Sequence, residues 1–171
     1  MALAAGGGLE SVDEDDKKDP PFVRDLIRSY LEARAGLKEL GILRTERSLQ
    51  SDYAEWLGAN RLGLTLSENP VEPGFDATDP EGKTYQIKSR IVEDLSQPTS
   101  FDFGAIEAKF DYLVGVFFDP SFEVLQMVCV PYEAVKELGS PTASTFRFRW
   151  DKNNAQDPRV MRIDLGSDGA D

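Results

Sequence analysis

Three residues of the stretch GFDATDPEGKTYQIKSR, residues 74–90, have types and spacing suited to chemistry: Asp76, Gln86 and Lys88. Asp79-Pro80-Glu81-Gly82 carries the residues of a tight turn. A hairpin centred there sets Thr78 opposite Thr84 and Asp76 opposite Gln86. Strand alternation then returns Lys88 to the face of Gln86 and turns Ile87 to the other side. A one-residue slip would undo the coincidence. Glu55, in SDYAEWLGANRLG, sits on a helix that feeds this sheet and can reach the same place. Two carboxylates and an amide oxygen can hold a hard divalent cation, with waters and a phosphate oxygen filling its other positions. Asp76 is the principal expected ligand. Gln86 binds through its side-chain oxygen or positions a water on the metal, and the backbone carbonyl of Ile87 is a further donor. Lys88 would stabilise charge on a phosphate and on the attacking water. With a lowered pKa it would also assist proton transfer. These parts suit phosphodiester hydrolysis, where a metal and electrostatic stabilisation contribute most.

Composition narrows the metal. The chain of 171 residues has no histidine and one cysteine, Cys129, set in the apolar run VLQMVCV. Four-thiolate zinc sites are excluded, and a cysteine nucleophile would lack a histidine base. Oxygen ligands put Mg2+ first, with Mn2+ as the alternative. The net charge of -12 argues against nonspecific nucleic-acid binding over the whole surface. Basic residues nevertheless cluster locally. Lys83 and Arg90 flank the hairpin site and can contact phosphates. Ser89 can support a scissile phosphate. Arg44 and Arg47, ahead of the Glu55 helix, can contact nucleic acid or form ion pairs with the acidic surface. Arg147 and Arg149 alternate with Phe146, Phe148 and Trp150, as in an ordinary half-buried strand. Each of these residues alone is what a solvated sheet edge or helix face would carry. Only the joint pattern of helix glutamate, strand aspartate and Gln-x-Lys distinguishes the site.

The positioning elements follow from local signals. Residues 1–19 read as a disordered acidic leader, glycine-rich and then LESVDEDDKKD. MALAAGGGLE lacks the basic start and apolar core of a signal peptide, and no run reaches membrane-spanning length. Pro20 and Pro21 can open a helix over about 22–40, interrupted near Gly36. A second helix is capped by Ser48 or Ser51 and broken at Gly63. LTLS gives a short strand, the hairpin follows, and LSQPTSFDFGAIEAKF reads as a loop with a short helix around 103–110. YLVGVFF and VLQMVCV, joined by Asp119-Pro120-Ser121, read as central strands covered on both faces. PYEAVKELG reads as a helix, STFRFRWD as a half-buried strand and RVMRIDL as an edge strand. This order implies a compact α/β or α+β core in a single domain over 20–171.

DYAEWL followed by GFDATDPEGKTYQIKSR resembles the core of the PD-(D/E)XK, or restriction-endonuclease-like, nuclease superfamily. FDYLVGVFFDPSFEVLQMVCVPYEAV resembles the strands and helix that follow in small bacterial members. The likeness covers roughly residues 44–138. It implies a mixed central β-sheet flanked by helices, here with an added N-terminal helix. It also implies a Mg2+-dependent endonuclease acting on DNA, in restriction or defence, in the bacterial cytoplasm. Asp76 takes the place of the first motif aspartate, Gln86 of the second acidic position, Lys88 of the motif lysine and Glu55 of the supporting helix glutamate. Phe75 stands where the motif has proline. Gln86 is the weightier departure, because a neutral amide binds magnesium less strongly than a carboxylate. An inactive nucleic-acid-binding protein of the same fold is therefore the second reading, and a subunit of a larger restriction or defence assembly the third. A homodimer would let so small a domain address both strands of DNA.

Overall fold

The computed structural model describes residues 20–45, 48–69, 74–104 and 110–166; the expected leader, residues 1–19, lies outside them. The chain divides into two compact units, one ending at Gly41 and the other starting at Ile42. In the first, helix α1 spans Pro20–Glu39. It runs without the break expected at Gly36, because nothing in its surroundings forces one: the space beside that glycine is open. It stops where Gly41 takes a positive φ of 70° and its N–H donates to the Lys38 carbonyl.

The second unit holds a mixed six-stranded sheet and a smaller three-stranded one. Helix α2, Leu49–Leu62, begins at Ser48, whose side chain accepts from the Ser51 N–H, and ends at Gly63 in the left-handed conformation. Strands β1 (Thr65–Leu66), β2 (Ala77–Thr78) and β3 (Thr84–Ile91) follow as antiparallel neighbours. Strand β5, Tyr112–Phe118, lies parallel to β3. Strand β6, Val124–Pro131, returns antiparallel to β5, and β9, Met161–Arg162, closes that edge. The large sheet has the order β1-β2-β3-β5-β6-β9.

Aspartate builds the turns of the β2–β3 and β5–β6 hairpins. Asp79 Oδ1 accepts from the N–H groups of Glu81 and Lys83, and Asp119 Oδ1 accepts from those of Ser121 and Glu123. The first turn sets the register Thr78↔Thr84, as the turn residues imply.

Strand β4 is Thr99–Phe103, where the sequence reads as a loop. It pairs with β8, Phe146–Trp150, which pairs with β7, Ser140–Pro141. Burial explains the correction. Phe101 and Phe103 alternate with Ser100 and Asp102, and their rings enter the core while the polar residues stay outside. Phe103 is thus strand, not the start of a helix; residues 105–109 of the expected helix fall outside the described residues.

Each face of the large sheet has its own apolar cluster. On one, Ala54 and Leu57 of α2 pack on Ile87, Val114, Val116 and Met127. Gly58 allows the close approach, since a Cβ there would lie 3.3 Å from Ile87 Cδ1. On the other, Phe101, Phe103, Phe148 and Trp150 of the small sheet pack on Leu113, Phe117, Val128 and Val130. They are joined there by Ala134 and Val135 of helix α3, Tyr132–Leu138. Strands β5 and β6 are therefore covered on both sides, as their unbroken apolar runs suggest. Cys129 lies in the first cluster, where burial pushes its thiol up to about 11, a structural and not a nucleophilic cysteine. Among the described residues the unit is mixed α and β, and with α1 the chain has three α-helices. No described helix is long and apolar enough to cross a membrane.

Candidate active site

The β2–β3 ladder stops after two residue pairs, Thr78↔Thr84 and Ala77↔Tyr85. Beyond it β3 keeps β5 on one side. Among the described residues its other side has no strand partner from Gln86 to Ile91. A polar cleft of ≈ 360 Å³ opens along this edge, lined by residues 86–90, by Asp76 and by Gln50, Ser51 and Glu55 of α2. The four residues expected to do chemistry, Glu55, Asp76, Gln86 and Lys88, all line it.

Asp76 sits one residue before β2 and is tied to β3 three times. Its N–H donates to the Tyr85 carbonyl at 2.8 Å. Its Oδ2 accepts from Gln86 Nε2 at 2.7 Å and from the Ile87 N–H at 2.6 Å. Among the described residues Oδ1 accepts no hydrogen bond. The N–H and C=O of one strand residue point the same way, so the Ile87 carbonyl also faces the Asp76 side. Burial raises the Asp76 pKa against the opposing pull of the Ile87 N–H, Lys88, Arg44 and Gln86.

Glu55 is pushed up to about 7, chiefly by burial and then by the negative charges of Asp76 and Asp52, while Arg44 pulls it down. Arg44 lies outside the cleft lining, behind this carboxylate: its Nη1 is 3.6 Å from Glu55 Oε2, and its Nη2 donates to the Ser67 carbonyl. The ion-pair role therefore describes Arg44. Asp52, 1% exposed, fixes the approach to α2. It accepts from the N–H groups of Arg44 and Thr45 at 3.0 and 2.7 Å and from the Thr45 hydroxyl at 2.9 Å.

Lys88 has its pKa lowered by burial, opposed by Asp76 and Asp102 and reinforced by Arg90. Its Nζ lies 5.0 Å from the centre of the Phe103 ring. Arg90 is placed in the same manner, 5.5 Å from the centre of Phe101, and its Nη1 donates to the Ser89 carbonyl at 2.8 Å. Ser89 is buried, and its hydroxyl accepts from Gln50 Nε2 at 3.0 Å. Lys83 stands apart on the hairpin, paired with Asp111 at 3.5 Å and absent from the cleft lining. Arg47 lies outside the described residues.

Glu55 and Asp76 are donors of the type a hard cation takes. Two desolvated carboxylates share a cleft in which burial drives both toward protonation, and a divalent ion is the counter-charge that would hold them ionised. Among the described residues no group of three or more Asp, Glu, His or Cys is arranged around one point. The remaining ligands would be neutral oxygens, those of Gln86, the Ile87 carbonyl and solvent.

Sequence reasoning missed Gln50, Ser51, Phe101 and Phe103. The two phenylalanines were visible as alternation in TSFDF, but Pro98 and the surrounding serines hid it. Gln50 and Ser51 belong to the first turn of a helix whose cap was legible; nothing in their types marks them.

Compared with known proteins, the chain is matched by no family model. No match was found among curated proteins either.

Proposed function

We propose that this chain is a metal-dependent DNA endonuclease with a restriction-endonuclease-like core, hydrolysing phosphodiester bonds in the cleft along β3. The observation that carries this reading is the convergence of Glu55, Asp76, Gln86 and Lys88 on one cleft from α2, β3 and the residue preceding β2. A mixed sheet with α2 packed against one face is in keeping with this reading.

Asp76 and Glu55 would hold Mg2+ or Mn2+, with the Gln86 side chain and the Ile87 carbonyl as neutral donors. When bound, the ion supplies Lewis acidity at a phosphate oxygen and favours ionisation of the attacking water. Lys88 places positive charge beside the phosphate. Its burial makes that charge count for more than it would in water and lowers its pKa. Gln86 fixes Asp76 through a 2.7 Å hydrogen bond, so the ligand is oriented before any substrate arrives.

The amide at position 86 favours a second reading, a nucleic-acid-binding protein of the same fold with weak or no cleavage. It adds no negative charge to the site and donates to Asp76 Oδ2, an oxygen that also accepts from the Ile87 N–H. Restriction or defence in the bacterial cytoplasm suits the lead reading. A homodimer is consistent with the apolar side chains of α1, where Val23, Leu26, Ile27, Tyr30 and Leu31 are exposed.

The test compares plasmid and linear DNA incubated with magnesium, manganese or chelator, using the intact chain and Asp76→Ala. Metal-dependent cutting that the variant loses is the expected result. Binding of DNA without cutting in either metal supports the second reading, and cutting that survives Asp76→Ala overturns the first.

A further inference from the structure

Lys88 and Arg90 are alternate residues of β3 and leave it on one face about 6.6 Å apart, two strand rises. Beneath them Phe103 and Phe101 are alternate residues of β4, and each cation rests on one ring: 5.0 Å from Lys88 Nζ to the centre of Phe103, and 5.5 Å from Arg90 Cζ to that of Phe101. A phenyl ring attracts a cation without taking any of its N–H donors. A carboxylate in the same place would hold the cation and consume those donors. Asp102, between the two rings in sequence, is spent elsewhere: its oxygens accept from Arg147 Nε at 2.7 Å and Nη2 at 3.2 Å. Among the described residues neither Lys88 nor Arg90 has a carboxylate ion-pair partner, and the hydrogen bond of Arg90 to its neighbour's carbonyl uses one of its five donors.

Gly115 makes this seating possible. It faces Lys88 in the parallel ladder, and a Cβ there would lie 3.0 Å from Phe101 Cζ and 3.1 Å from Cε2. The ring of Phe101 occupies the place a side chain at 115 would take.

Two neighbouring cations seated on rings, most of their donors free, in the lining of a polar cleft are complementary to an anion that carries repeated charges. A nucleic-acid strand is such an anion, with one phosphate charge per nucleotide at a regular repeat. The volume of ≈ 360 Å³ gives room for about a dozen waters, more than one phosphate group fills. We propose that Lys88 and Arg90 grip two successive phosphates of one nucleic-acid strand, so that the cleft selects ligands with at least two phosphodiesters over those with one. This rests on the phosphodiester reading of the site and adds to it a minimum substrate length.

The experiment measures equilibrium binding by fluorescence anisotropy, with calcium and again with chelator. The ligands are dye-labelled thymidine oligonucleotides containing one, two or three internucleotide phosphates. The intact chain is expected to bind the two-phosphate ligand at least about tenfold more tightly than the one-phosphate ligand. Arg90→Gln should abolish that step, weakening two-phosphate binding far more than one-phosphate binding, and should lower the salt slope of two-phosphate binding by about 0.7. Phe101→Leu keeps both charges and should shrink the step several-fold, which tests the seating in a variant that retains an apolar side chain in the core. Equal affinity for one and two phosphates in the intact chain, a step that Arg90→Gln preserves, or no binding of any of the three overturns the proposal. A chain that cuts plasmid with metal but shows no step sinks the two-phosphate grip alone. A chain that shows the step and cuts nothing supports the grip and sinks the hydrolytic reading.

Discussion

Arg44 Nη1 lies 3.6 Å from Glu55 Oε2, behind the cleft and outside its lining. Beyond hydrogen-bond distance, the guanidinium tempers the charge of the carboxylate without capping it, and Glu55 still rises to about 7. Within the cleft itself the chain's own positive charge comes from Lys88 and Arg90.

Stability of the metal-free chain should therefore fall as pH rises. The Glu55 pKa is raised in the folded state, from 4.5 to about 7, so the folded chain binds this proton more tightly than the unfolded one. Its contribution is complete below pH 4.5 and is lost as pH climbs through 7. The shift corresponds to about 3 kcal/mol. Urea unfolding in chelator between pH 4 and 8 should show this loss in the intact chain and a shallower profile in Glu55→Gln. Parallel profiles for the two proteins would contradict the assignment.

Gln86→Glu should exchange stability for metal affinity. A third carboxylate placed against Asp76 Oδ2, where the amide now donates at 2.7 Å, replaces an attraction with a repulsion. In chelator the melting temperature should drop, by an amount equivalent to about 2 kcal/mol. With millimolar magnesium the order should reverse, and calorimetric titration should find magnesium bound at least about tenfold more tightly than by the parent chain. A variant that melts lower under both conditions and gains no affinity would argue against metal at this position.

Gly115→Ala should loosen the two cations from a distance. The added methyl meets Phe101 at 3.0 Å and Val128 Cγ2 at 3.1 Å, both in the packed core. Overpacking of this kind costs roughly 1–3 kcal/mol. Displacing the ring should alter the environments of Arg90 and Lys88, which two-dimensional NMR of their side-chain nitrogens would register. An alanine variant with parental stability and unshifted signals would mean that the ring has room to give.

Asp52→Ala should cost more than a surface aspartate does. Removing the carboxylate strips partners from two backbone N–H groups and one hydroxyl at the turn into α2, at a residue only 1% exposed. A loss of about 3 kcal/mol is expected. The damage should appear in hydrogen exchange as lost protection at 44–45 and over 48–52, with β5 and β6 unaffected until global unfolding.

The parts of the molecule legible in the sequence are those whose signals are local. Ser48 and Gly63 bracket α2 because capping chemistry sits within a few residues of each helix end. The Asp79–Gly82 turn fixes the register that brings Asp76 to Gln86, so most of the candidate site followed from one turn and one alternation. Strand β4 was not legible, since its partner β8 lies more than forty residues away and its burial depends on a face of β5 that only the fold assembles. With β4 went the rings beneath Lys88 and Arg90. The ion pair of Arg44 with Glu55 was open in the same way: an arginine beside an acidic helix reads alike as a phosphate contact or a partner for a carboxylate.

The brevity of the β2–β3 ladder bears on how the molecule behaves in a crowded solution. Among the described residues one flank of β3 has no strand partner beyond Tyr85, and such an edge invites a stranger's strand to dock there, the first step toward sheet-to-sheet aggregation. Two polar groups on that flank are already engaged within the chain, the Ile87 N–H by Asp76 and the Ser89 carbonyl by Arg90. The side chains assigned to chemistry thus double as guards of an open border, and disarming them for function should also make the protein stickier.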